Sequence, residues 1–328
     1  MDRAVLVTGG AGYIGSHVAR HLGESGYSVV VLDNLSKGFR EAVLYGELVV
    51  GDVGDPHLVQ RLLREYSIKS VLHFAALTVV PESVTNPLLY YANNTCNTRN
   101  LLACCQNAGV EHFVFSSTAA VYGLPSGGFA SEDAATLPIN PYGTSKLMSE
   151  WMLRDLAAAT PLRHITLRYF NVAGCDPQAR IGQSTPNATL LIKVACEAAV
   201  GKRQSICIFG TDYSTPDGTG VRDYIHVEDL ADAHVKALRY LEEGGKSTTL
   251  NCGYGHGYSV REVLSAVERI SGAPLPIQEE KRRPGDPPML IANAQRIRDI
   301  LGWQPHYDDL DFIVRTALAW ERKLLAQR

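Results

Sequence analysis

Residues 4–16, Ala4-Val5-Leu6-Val7-Thr8-Gly9-Gly10-Ala11-Gly12-Tyr13-Ile14-Gly15-Ser16, decide the fold. The first five read as a buried strand, and the stretch after Gly12 reads as a helix running to about Leu22. Between them, Gly9 and Gly12 let the backbone turn tightly and approach a pyrophosphate, while Gly15 lets helix and strand pack closely. The helix N-terminus, at Tyr13 and Ile14, offers unpaired N–H groups to that anion. Glycines in this pattern are common; what gives these meaning is their place at a strand-to-helix turn.

Working outward, the second apolar run ends at Asp33, followed by Asn34, in the interval where a dinucleotide site places an acid for the adenosine ribose. A carboxylate there repels a 2′-phosphate, so NAD is favoured over NADP. Lys37 and Arg40 would soften the preference only by turning inward. Short runs rich in Val, Leu, Ile and Phe recur at 4–8, 28–33, 48–52, 70–76, 112–117 and 164–170, alternating with helical stretches. Runs without polar alternation suit strands covered on both faces by crossover helices. The expected fold class is therefore α/β, a doubly wound parallel sheet of the Rossmann type with a smaller C-terminal α/β domain.

Beyond about Phe170 the texture turns to Gly, Pro, Asn and Thr, as at 182–189 and 210–220, which suits long binding loops. A dinucleotide-binding domain over 1–171 and a substrate domain over 172–328 follow, with some segments free to cross back. Helices are expected near 190–200, over 227–241 behind Glu228 and Asp229, and over 260–270, where Ser259 and Glu262 have capping-box spacing.

Asn140-Pro141-Tyr142-Gly143-Thr144-Ser145-Lys146 reads as a helix start, with Asn140 capping and Pro141 at the first helical position. Tyr142 and Lys146, at i and i+4, share a face, and an ammonium beside a phenol lowers the phenolic pKa from its usual value of about 10. A tyrosinate base at neutral pH would result. Phe115-Ser116-Ser117-Thr118 ends a buried strand in hydroxyls, at the sheet edge where ligands bind. Thr118 there is placed to bridge a reacting oxygen and Tyr142.

Composition bounds the remainder. Thirty-one basic against 34 acidic residues, net −3, give no broad attraction for nucleic acid, and Lys281-Arg282-Arg283 is too short for a basic patch. Seven cysteines, an odd number with no CxxC pair, fit a reducing compartment. No leader is recognised and no apolar run approaches the roughly 20 residues of a membrane span, so the expected location is cytoplasmic. His17 and His21 stand four apart without a third ligand, so no metal site is expected.

Taken together, residues 8–16, Asp33-Asn34-Leu35, Gly51-Asp52-Val53, His73-Phe74-Ala75-Ala76, Val80-Pro81-Glu82-Ser83-Val84, Tyr91-Ala92-Asn93-Asn94-Thr95, 142–146, Arg168-Tyr169-Phe170-Asn171 and, above all, 217–226 resemble the extended short-chain dehydrogenase/reductases and, within them, the UDP-glucose 4-epimerases. The resemblance covers nearly the whole chain. It implies reversible epimerisation of UDP-glucose and UDP-galactose through a 4-keto sugar with tightly held NAD. Other UDP-sugars, UDP-GlcNAc or UDP-arabinose, stay open, as do a 4,6-dehydratase and a non-catalytic NAD sensor. Against the dehydratase, Ala119 and Ala120 stand where those enzymes carry Asp and Glu.

Carried over residue by residue, the resemblance implies Asp52 and Val53 at the adenine, and Ala75, Ala76, Asn94, Ser116 and Tyr169 around the cofactor with Tyr142 and Lys146. It implies Asn171, Cys207, Phe209, Arg222, Arg283 and Asp286, with Thr118, on the UDP-hexose, the arginines gripping the diphosphate and Asp286 a ribose. Departures fall at Thr78, where lysine is common, at Leu190, near an expected polar contact, and at Leu290, a position associated with the acceptance of N-acetylated sugars. A homodimer joined through helices of the dinucleotide domain is also implied.

Overall fold

Val5, Leu6, Val7, Val31, Val71, Leu72, Phe113 and Val114 are all fully buried, and each lies in a strand with helices on both sides. The computed structural model describes residues 4–283 and 285–327. Its large sheet contains β1 (Ala4–Thr8), β2 (Ser28–Asp33), β3 (Glu47–Val50), β4 (Ser70–His73), β5 (His112–Thr118), β6 (Arg163–Tyr169) and β7 (Thr248–Cys252), ordered β7-β6-β5-β4-β1-β2-β3. Every pairing is parallel. The order reverses between β1 and β4, where Thr8 pairs with His73, and ligands bind in the crevice beyond such a switch point.

On one face α1 (Tyr13–Glu24) packs against α5 (Val227–Glu242); on the other lie α2 (Pro56–Glu65), α3 (Asn97–Ala108) and Leu153 of α4 (Pro141–Ala159). Their starts are written locally. Asp55 accepts hydrogen bonds from the N–H groups of His57 and Leu58, ahead of Pro56. Asn140 accepts from Gly143 N–H at 2.8 Å. Ser259 and Glu262 form the expected reciprocal capping box on helix Val260–Ser271.

Element ends shift by a few residues from the sequence-based bounds. The strand expected over 48–52 ends at Val50, because Asp52 turns back to accept from Gly54 N–H at 2.7 Å. That expected over 70–76 ends at His73, and that over 164–170 spans Arg163–Tyr169. Two helices lie outside the sequence reading, Gln295–Leu301 and Leu310–Ala326.

The chain crosses the 171/172 division in both directions. Thr248–Cys252 returns as the seventh strand beside β6, while Phe129–Ala130 leaves to pair with Met289–Ala292. The latter strand belongs to a second sheet with Val221–Arg222 and Tyr258–Ser259. Asn251 ties the two sheets together: its Nδ2 donates to the Ala130 carbonyl at 2.9 Å and its Oδ1 accepts from the Tyr122 hydroxyl at 2.6 Å. Among the described residues, no helix is long and apolar enough to cross a membrane.

Candidate active site

The glycine-lined turn is closed so tightly that it admits no other residue at two points. Gly9 has φ +71°, and a Cβ there would lie 2.5 Å from Ala75 N. A Cβ on Gly15 would lie 2.3 Å from Gly9 O. Gly12 caps α1 without a side chain, leaving the first N–H groups of Tyr13, Ile14 and Gly15 without partners inside the helix. A backbone cradle with a helix N-terminus behind it suits a pyrophosphate, so this part of the chain fits NAD.

Asp33 is buried at the end of β2. Its Oδ2 accepts from Ala11 N–H at 3.0 Å and its Oδ1 from Leu35 N–H at 2.8 Å, so it also braces the glycine turn. Asn34 donates to Asp52 Oδ2 at 3.0 Å. Lys37 and Arg40 are exposed, which leaves the preference against a 2′-phosphate intact. Val53 is buried, and Ala75 and Ala76 are partly so, beyond the end of β4.

Asn94 is fully occupied. Its oxygen accepts from Leu77 N–H at 2.8 Å and from Asn93, and its nitrogen donates to Leu77 O at 2.9 Å and Ser145 Oγ at 3.1 Å. It shapes the cofactor-side loop rather than offering a free amide to it. The wide helical turn Tyr91–Cys96 that carries it is π-helical, a form frequent at functional sites.

Tyr142 and Lys146 come together with the strand-end hydroxyls as their spacing predicts, but their electrostatics differ from the simple expectation. Burial pushes the Tyr142 phenol up, and a hydrogen bond from Thr118 pulls it down. Lys146 Nζ donates to the Ser116 carbonyl at 2.8 Å and lies 5.0 Å from the Phe115 ring centroid. Burial takes its own pKa down to about 7, opposed by the nearby Glu150. Ser116 Oγ hydrogen-bonds the Tyr169 hydroxyl, and Tyr90 meets Tyr142 edge-on at 6.5 Å.

Sequence reasoning missed the polar structure beneath this cluster. One turn after Lys146, Glu150 holds Arg168 in a buried two-pronged pair, Nε to Oε1 at 3.0 Å and Nη2 to Oε2 at 2.5 Å, and accepts from Ser117 Oγ. Arg168 continues to the Tyr122 hydroxyl at 3.1 Å. The signal was present in the i, i+4, i+8 spacing of Tyr142, Lys146 and Glu150 on one helix.

Arg222 and Asp286, expected on one nucleotide, form an ion pair at 2.5 Å. The Arg283 guanidinium stacks 3.7 Å from the Phe209 ring centroid. Cys207 and Phe209 lie on strand Ile206–Phe209, partly buried, and Leu290 is the register neighbour of Arg222. Asn171 lies one residue beyond Phe170 and donates through Nδ2 to Asp223 O at 3.2 Å. Thr78 and Leu190 are exposed.

His21 binds Glu228 Oε2 at 2.8 Å, and His17 lies 3.6 Å from Glu228 Oε1, so both meet a carboxylate that is also paired with Arg20. His226 is structural: its ring accepts from Glu228 N–H at 3.2 Å at the start of α5.

A phenol carried on a lysine-bearing helix over the carboxyl edge of a dinucleotide fold is the class of arrangement resembled by the extended short-chain dehydrogenase/reductases. The chain matches the NAD dependent epimerase/dehydratase family over residues 5–253 and belongs to it. A curated relative, the UDP-glucose 4-epimerase of Azospirillum brasilense, is 59% identical over 98% of this chain and 92% of its own. The UDP-glucose 4-epimerase of Brucella ovis, solved with NAD, superposes with a TM-score of 0.94 at 44% identity, covering 97% and 98% of the two chains. That of Stenotrophomonas maltophila, solved with NAD and formylated UDP-arabinopyranose, gives 0.96 at 39% identity over 99% and 100%.

Proposed function

We propose that the protein interconverts UDP-glucose and UDP-galactose by inverting carbon 4 of the hexose. The observation that carries this reading is that Tyr142 and Lys146, one helical turn apart, are buried against the Ser116–Thr118 end of β5, where Lys146 Nζ donates to the Ser116 carbonyl at 2.8 Å. When bound, NAD supplies a reversible hydride acceptor, so carbon 4 can pass through a ketone and regain its hydride with no net redox change.

The chain's own residues supply the rest. Tyr142 takes the proton from the 4-hydroxyl and returns it, with Thr118 as the bridge and Lys146 as the neighbouring cation. Gly9, Gly12 and Gly15 hold the pyrophosphate with Tyr13 and Ile14; Asp33, Asn34, Asp52 and Val53 serve the adenosine end; and Ala75, Ala76, Ser116 and Tyr169 border the nicotinamide end, with Asn94 shaping it. Arg222 and Arg283 hold the UDP diphosphate while Asp286 takes a ribose, and Asn171, Cys207 and Phe209 complete the contacts. Ion pairing between Arg222 and Asp286 supports that grouping, since the two are already adjacent.

Residues 172–328, apart from the returning strand and α5, form the nucleotide-sugar domain in this reading. A cytoplasmic homodimer accompanies it. Leu88 and Leu89, with Met148 and Trp151 on the neighbouring α4, are exposed apolar residues suited to a partner's helices. The test is incubation of purified protein with UDP-galactose, UDP-GlcNAc and UDP-arabinose without added NAD. UDP-glucose is the expected product, and no epimer of any of the three would overturn the reading in favour of an NAD sensor.

A further inference from the structure

Arg282 and Arg283 are consecutive, yet each stacks on a different ring near the end of strand Ile206–Phe209. Arg283 lies over Phe209, and the Arg282 guanidinium carbon lies 4.3 Å from the Tyr213 ring centroid. Arg282 also donates through Nε to Asp212 Oδ1 at 2.6 Å and through Nη2 to the Asp212 carbonyl. Gly210 sits between the rings with φ +86°; a Cβ there would lie 2.6 Å from both Arg282 Cγ and Tyr213 Cε2. Gly210 N–H in turn donates to Glu280 O at 2.8 Å. Residues 210–213 and 280–283 are thus closed on one another by stacking, a charged fork and backbone pairing.

This closure contributes little to the fold. Arg282 and Asp212 have side-chain exposures of 46% and 76%, and an ion pair so open to water is weak. Tyr213 is different: it is buried, its hydroxyl has no hydrogen-bond partner among the described residues, and Asp286 and Arg222 are among the charges acting on it. The clasp therefore lies beside the ion pair assigned to the nucleotide.

We propose that Arg282, stacked on Tyr213 and bonded to Asp212, is a positioning residue that presets Arg283 and Asp286 to receive a nucleoside diphosphate. The inference rests on the assignment of Arg283 and Asp286 to the diphosphate and ribose. With the clasp closed, Arg283 is already placed beside Phe209 and Asp286 beside Arg222 before the ligand arrives, so binding does not carry that ordering cost. An interaction that only preorders a binding segment acts alike on ground and transition states, so its loss raises KM and spares kcat.

The experiment compares NAD-loaded wild type, Arg282→Ala, Asp212→Asn and Arg283→Ala in UDP titration calorimetry, UDP-galactose kinetics and thermal melts. Arg282→Ala is expected to weaken UDP binding and raise KM by about five- to tenfold, with kcat within about twofold. Its Tm should match wild type, Asp212→Asn should shift affinity the same way by less, and Arg283→Ala should lose more affinity than either. If Arg282→Ala proves unstable, Asp212→Asn carries the comparison alone. Wild-type UDP affinity in Arg282→Ala or, where that variant is unstable, in Asp212→Asn, beside a weakened Arg283→Ala, overturns the clasp and leaves the site assignment standing. Wild-type affinity in Arg283→Ala overturns the assignment and the clasp with it, as a kcat loss at constant KM in Arg282→Ala overturns the clasp.

Discussion

The Lys146 ammonium donates a 2.8 Å hydrogen bond to the backbone carbonyl of Ser116, so the helix bearing the phenol is fastened to the strand bearing the hydroxyls. That bond fixes where the cation sits relative to Tyr142, which sequence spacing alone left free. Burial raises the phenol and takes Lys146 itself down to about 7 in the free protein.

Tyr142→Phe removes the proton-transferring hydroxyl and nothing that packs. We expect kcat to fall by about 10² to 10⁴, the usual worth of a positioned acid or base, with bound NAD and UDP affinity unchanged. Single-turnover kinetics and the protein's absorbance ratio at 260 and 280 nm check both halves. Near wild-type turnover would remove Tyr142 from the chemistry.

Gly15→Ala places a methyl group against Gly9 O, where the gap is 2.3 Å. Crowding of this kind should cost about 1–3 kcal/mol of stability and open the cradle. Purified variant should carry little NAD and melt lower than wild type. Full NAD occupancy would mean that the turn is not where the pyrophosphate binds.

Glu150→Ala leaves the Arg168 guanidinium buried without its carboxylate. The expected loss in urea denaturation is about 3–5 kcal/mol, and replacing both residues by methionine should recover most of it. A loss under about 1 kcal/mol in the single variant would show that water reaches the pair.

Burial holds the rings of His17, His164 and His234 down to about 4, and those of His73 and His226 to about 3. Unfolded histidine titrates near 6.5. Between these values the unfolded chain binds more protons than the folded one, so stability is full above about pH 6.5 and falls as pH drops toward 4. Each ring contributes a slope of roughly 1.4 kcal/mol per pH unit within that window. Urea midpoints from pH 8 to 4.5 should show the decline, and His164→Gln should flatten it by about one proton. An unchanged slope in that variant would assign the acid sensitivity elsewhere.

Features that depend on neighbours in the chain were legible without a structure. Gly9, Gly12 and Gly15, the acid closing β2, the caps at Asn140 and Ser259, and the shared face of Tyr142 and Lys146 are all set within a few residues of backbone geometry. The strand runs announced a parallel sheet because both their faces are apolar.

What the tertiary structure alone decided lies at long sequence separation. Thr248–Cys252 joins the dinucleotide sheet, Asn251 reaches Tyr122 and Ala130, Glu150 finds Arg168, and Arg282 closes on Asp212 and Tyr213. Asn94 is spent on Leu77 and Ser145. No local period encodes such meetings. A strand or helix pattern specifies which face is buried, while the partner it is buried against follows from how all the elements pack together.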